Sequence, residues 1–275
     1  MPHNYYFYVS GLPGLSFEEG KKAVTYREWR EEACAHLEPG DVRLLQLMGM
    51  PFDHANLMAL LEKRERPWDG RANFSREELE RELKNPDRLP AYVTEFLHAF
   101  HEGRPFHPDL AWEDQLTWQY HDFVLGAGNA ALAAWSAFDL HLRGLLAAFA
   151  ARAGHPHLGK EAARVLQGAM ANHDEVTDRL LRSNAPDLGL SLLFPAVNAV
   201  LALPAGDRFE SERRLDALRW GFLDEMAVKQ PFGVEAVLAH AGRLAILERW
   251  AALTPELGRA RLEGFLTEAA AALRA

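Results

Sequence analysis

Apolar positions recur along most of this chain at three- and four-residue steps, the spacing of helices that bury one face. The longest run, 112–152, contains no proline and places Trp118, Phe123, Trp135, Phe138, Leu142 and Phe149 on one broad stripe. It predicts a single long helix around which the rest is organised. Two capping boxes, Thr25 with Glu28 and Ser75 with Glu78, open helices reaching about Leu37 and Lys84. Pro39-Gly40 is expected to stop the first of these. Asp41 then caps a short helix through Leu47, and the segment from Phe52 forms another, with Leu57, Leu60 and Leu61 on one face and Pro67 beyond its end. Further helices are predicted over 89–102, 159–171, 174–183, 190–203, 209–228 and 234–252. A last one begins at Thr254-Pro255-Glu256, an N-cap followed by proline at the first helical position.

Only Asn4–Ser10, NYYFYVS, has strand-like aromatic and β-branched character, and no second strand offers to pair with it. The expected fold class is therefore all-α, a multi-helix bundle of repeated helical subdomains with a short extended N-terminal segment. The proline-rich break at 101–109, HEGRPFHPD, divides it into an N-terminal helical subdomain, 1–104, and a central and C-terminal part, 105–275, packed together as one body. Asn56-Leu57-Met58-Ala59-Leu60-Leu61 is echoed by His141-Leu142-Arg143-Gly144-Leu145-Leu146, and more faintly by Leu244–Leu247.

A net charge of −9 over 275 residues lacks the basic balance that meets phosphates, so nucleic acid is not an expected partner. The single cysteine, Cys34, excludes an internal disulfide and reads as a small buried hydrophobe of a reducing compartment. The N-terminus has no signal-peptide pattern, and no window approaches the ~20 apolar residues of a membrane-spanning helix. A cytoplasmic protein without transmembrane insertion is expected.

Candidate chemistry is sparse. Gly126-Ala127-Gly128-Asn129-Ala130-Ala131 matches the G-x-G-x-x-A dinucleotide fingerprint, but the residues before it read as helix and no ribose-binding acid lies about 20 positions on. The glycines read better as close-packing positions within the long helix, and an oxidoreductase built on Gly126 and Gly128 is kept as an alternative. His98, His101 and His107, with Glu102, could ligate zinc, but no partner motif lies on another helix; His155 and His157 sit in a loop. The carboxylates Glu161, Asp174, Glu175 and Asp178 form no acid/base pair. No catalytic residue, cofactor or metal is expected.

NYYFYVSGLPGLSF, YREWREE, FDHANLMALL, LPAYVTEFL, the central NAALAAWSAFDLHLRGLLAAFAAR and the later RRLDALRWGFLDEMAVKQPFGVEAVLAHAGRLAILERWAAL together resemble an uncharacterised bacterial family encoded beside V-type (A/V-type) ATPase subunits. That family is similar in turn to the C subunit of archaeal-type ATPases, called d in vacuolar enzymes. The resemblance implies an all-helical body of three similar subdomains that seats the central shaft on the membrane rotor ring. The shaft and ring subunits would be its partners, and it would lie on the inner face of the membrane through them. Asp53, Asn56, Leu57, Leu60 and Leu61 match the subunit-C pattern of an acid, Asn-Leu and a leucine pair. In the second copy Phe138 replaces the acid and His141 the asparagine, while Leu142, Arg143, Leu145 and Leu146 are kept; the third copy, Arg243–Leu247, is degraded. Trp135, Trp220 and Phe232 complete the scaffold positions that the resemblance singles out.

Overall fold

The computed structural model describes residues 4–18, 24–108, 110–153, 174–204 and 206–253, and among these every regular element is helical. In chain order they are α1 (Tyr6–Ser10), α2 (Tyr26–His36), α3 (Pro39–Leu61), α4 (Arg76–Lys84), α5 (Ala91–Glu102), α6 (Trp112–Leu125), α7 (Ala130–Arg152), α8 (Glu175–Arg182), α9 (Ala196–Leu201), α10 (Arg208–Lys229) and α11 (Val234–Ala251). The helices expected at 159–171 and from Thr254 lie outside the described residues.

Both capping boxes form as the sequence predicts: Thr25 and Ser75 accept from the backbone N–H of Glu28 and Glu78, whose carboxylates reach back. Elsewhere tertiary structure overrides local signals. Pro39 does lie between α2 and the body of α3, but it acts by opening α3, where its missing N–H costs nothing. The two short helices expected over 41–63 are one helix of 23 residues that runs through Pro51. That proline removes one hydrogen bond. Burial of Leu45, Met48, Leu57 and Met58 on either side of it holds the helix together.

The reverse correction applies to 112–152. It is two helices, broken at Gly126–Asn129, where Gly128 takes a left-handed φ of 81° and Asn129 caps α7 through the Leu132 N–H at 2.9 Å. The glycines are thus a turn, not packing positions inside a helix; a Cβ on Gly128 would meet nothing. Residues 190–203 also shorten: Leu188 sits at φ 58°, and only the six residues after Pro195 are helical.

The N-terminal segment needs a further correction. Residues 6–10 are a one-turn helix, not an extended piece. With no strand beside it the backbone satisfies itself locally, while the side chains find partners in the body. Tyr6 lies 4.5 Å from Phe232 and Tyr8 stacks on His36 at 4.9 Å, and the Tyr5 hydroxyl bonds Asp41.

The buried side chains form two apolar cores. The larger joins α2, α3, α5, α6 and α11 with the start of α7 and the end of α10, so it draws on residues from both sides of position 104. The smaller joins Leu142, Leu145 and Ala148 of α7 to α8, residues 188–200 and Leu215 of α10. Helices α7 and α10 therefore run from one core into the other. Each carries charged residues where the change occurs.

Candidate functional site

The first copy of the leucine echo lies on α3, and its polar members hold a loop. Asp53 is buried, and its carboxylate accepts from the backbone N–H groups of Asn73 and Phe74, each at 3.0 Å, and from Asn73 Nδ2 at 2.7 Å. One turn on, Asn56 closes two bonds with the backbone of Asp69, accepting from its N–H at 2.9 Å and donating to its carbonyl at 3.1 Å. Asp69 in turn chelates Arg71, whose guanidinium lies over Phe52 at 4.2 Å and donates to the Ala245 carbonyl on α11 at 3.1 Å. Leu57 is buried in the larger core. The donors that reach Asp53 carry no formal charge, and burial outweighs them, pushing its pKa up to about 6.

In the second copy, on α7, Phe138 stands where α3 has Asp53. It stacks on Phe222 at 4.6 Å with Trp135 beside both rings. His141 takes the place of Asn56 and performs a comparable task. Its Nε2 lies 2.7 Å from the Asp174 carboxylate, which also caps α8 through the Thr177 N–H. Leu142 is fully buried in the smaller core. Both copies thus use one polar side chain, just ahead of the leucines, to tie a long helix to a segment later in the chain. The faint third echo lies on α11, with Leu244 and Leu247 in the larger core.

Arg143 leads to a feature that the echo does not predict. Its Nε bonds Asp139 at 2.7 Å, and the other Asp139 oxygen accepts from Arg219 Nε at 2.9 Å. Arg219 Nη1 reaches Asp216 at 3.0 Å, and Asp216 is bonded by Arg249 and by the Trp250 indole N–H. Arg249 ends the series on Glu212 at 3.1 Å. Six alternating charges therefore link α7, α10 and α11 at the junction of the two cores. Burial alone would raise the Asp139 pKa, but Arg143 and Arg219 outweigh it and hold the carboxyl well below the usual range. His121 of α6 bonds Ser136 at 2.8 Å and stands 3.9 Å from Asp139; burial pushes its imidazole down to about 4.

This charged series borders a cavity of about 300 Å³ between α3, α6, α7, α10 and α11. Trp135 and Arg143, two of the scaffold positions, line it. Trp220 and Phe232 lie elsewhere: Trp220 packs against Phe17, and Phe232 against Tyr6. Asp139, Asp216, Arg219 and Arg249 are not singled out by any sequence motif; the signal they do carry is the pairing of oppositely charged residues at helical spacing, Asp139/Arg143 and Asp216/Arg219.

The remaining candidates do not converge. Gly126 and Gly128 come directly after the helix α6 and form the turn into α7. His98 lies exposed near Glu102 at 3.8 Å, whereas His107 packs on Trp118. Among the described residues, no group of three His, Cys, Asp or Glu side chains is placed to hold a metal ion. His155, His157 and Glu161 lie outside the described residues. No described helix is long and apolar enough to cross a membrane.

Residues 2–264 match the model of a protein family described as of unknown function, DUF2764. The chain belongs to that family. No curated protein and no solved structure matches it.

Proposed function

We propose that this protein is a non-catalytic, subunit-C-like component of a rotary V/A-type ATPase. It would couple the central shaft to the membrane rotor ring from the inner face of the membrane. The observation that carries the reading is the repeated tether, Asn56 to Asp69 on α3 and His141 to Asp174 on α7, each just ahead of a buried leucine. A torque-bearing part needs helices that resist sliding over one another. Two apolar cores locked by a charged series across three helices meet that need without a reactive group.

A second reading, an assembly or regulatory factor of the same complex, is favoured by the degraded third copy, since α11 keeps Leu244 and Leu247 but has Glu248 for the second leucine of the pair and neither the acid nor the asparagine. Affinity capture of the tagged protein from its native cells in mild detergent tests the shared claim. Shaft and ring subunits should co-purify with it. Recovery of neither removes the proposal, and recovery only from incompletely assembled complexes favours the second reading.

A further inference from the structure

The cavity at the junction of the two cores is costly in a purely structural role. Buried ion pairs are expensive to desolvate, and apolar residues of the same volume commonly serve as well or better. Here five helices stop short of one another and leave about 300 Å³ between a ring-bearing wall and a charged one. Tyr26, Phe52, Tyr120 and Trp135 supply the rings. The charged lining holds four guanidiniums, of Arg71, Arg143, Arg219 and Arg249, against three carboxylates, of Asp139, Glu212 and Asp216, and so carries one excess positive charge; Asp69, which holds Arg71, lies outside the lining. A second hollow of about 250 Å³ adjoins it and shares Tyr120, His121, Asp139 and Arg143.

Arg143 is the end of the charged series and the least committed cation in it. Its Nε is spent on Asp139, its side chain is 46% exposed, and its two Nη groups have no hydrogen-bond partner among the described residues. By contrast, Arg219 and Arg249 each bridge two carboxylates.

We propose that this cavity binds a small organic anion carrying a planar ring, the ring against Trp135 and Tyr120 and the anionic group on the Nη groups of Arg143. A guanidinium presents parallel N–H groups that suit a carboxylate or phosphate, and ring faces favour a planar partner. Each half of the ligand needs the other. A neutral ring would bury the free end of Arg143 without a partner, and a bare anion would leave the aromatic wall empty.

Isothermal titration of the full chain with 1-naphthoate and with adenosine monophosphate separates a carboxylate from a phosphate ligand. The neutral 1-naphthamide and inorganic phosphate serve as half-ligands. One of the two anionic rings should bind one-to-one, at least tenfold tighter than either half-ligand. Arg143→Gln should weaken it at least tenfold while circular dichroism stays unchanged. If that variant fails to fold, Arg143→Lys keeps the charge beside Asp139 and should still weaken binding at least threefold, because the planar pair of donors is gone. Saturable binding of neither anionic ring overturns the proposal, as does equal binding of naphthamide, or an affinity that folded Arg143 variants leave unchanged.

Discussion

Helices α3 and α7 have the same length, 23 residues, and each buries one aspartate near its middle, yet the two carboxylates are driven in opposite directions. Asp53 is met by amide N–H groups and titrates near 6, whereas Asp139 is met by two guanidiniums and stays ionised far into acid. Hydrogen bonds from neutral donors satisfy the lone pairs without balancing the charge, so burial wins; a full positive charge on each oxygen reverses the outcome. The α3 site is therefore a latch on a loop. The α7 site is an electrostatic joint between helices that are distant in sequence.

The contrast is most exposed at Asp139. Replacing it with alanine leaves Arg219, whose side chain is largely buried, facing Asp216 alone, and should cost about 3–5 kcal/mol, the usual penalty for breaking a buried pair from one side. Urea denaturation checks this. A loss under about 1 kcal/mol would mean that the joint is solvated and that the contrast with Asp53 is false.

The second test uses pH. His54, His121 and His240 are pushed down by burial to about 3, 4 and 4, so between these values and 6.5 the unfolded chain binds protons that the native protein excludes. Stability should therefore rise with pH across that window. Asp53 acts in the opposite sense. Its native pKa lies above the unfolded value of 3.8, so its contribution is fully present below 3.8 and is lost as pH rises through about 6. Asp53→Asn should steepen the rise between pH 4 and 6.5, by roughly 3 kcal/mol over that window. Thermal unfolding at several pH values reads the slope; an unchanged slope would place Asp53 with Asp139.

The tethers should show smaller effects. His141→Leu removes the bond to Asp174 and should cost about 1–2 kcal/mol, with earlier loss of hydrogen-exchange protection in α8 than in α4. Equal loss in both helices would show that the tether acts globally. Lys63, at the end of α3, adopts φ 54° with no glycine to ease it, and the Arg64 N–H closes back on the Ala59 carbonyl at 2.9 Å. Lys63→Gly should raise stability by about 1 kcal/mol. A drop would mean that the lysine side chain contributes more than its backbone strain costs.

Much of the fold was legible because its signals are local. The capping boxes at Thr25 and Ser75, the apolar stripes of α5, α10 and α11, and the leucine echo on α3 and α7 all depend on residues within two turns of each other. The candidate site was legible only in part. Arg143 stood out within the echo and Trp135 on the apolar stripe ahead of it, but Asp139 and Arg219 are 80 positions apart and neither announces the other.

By itself, the sequence determined the all-helical class, most helix starts and the helical character of the segments that carry the echo, because capping and periodicity are short-range and repeat many times. Only the tertiary structure decided that α3 would continue through Pro51, that 112–152 would fold back at Gly128, and that the first aromatics would coil into a turn of helix. Each of those outcomes balances about one backbone hydrogen bond or one strained dihedral against burial on a core assembled from remote segments. The same holds for the joint between the cores. Its charges are placed along the chain by helical spacing, but their pairing, their pKa shifts and the cavity beside them exist only once α7, α10 and α11 have met.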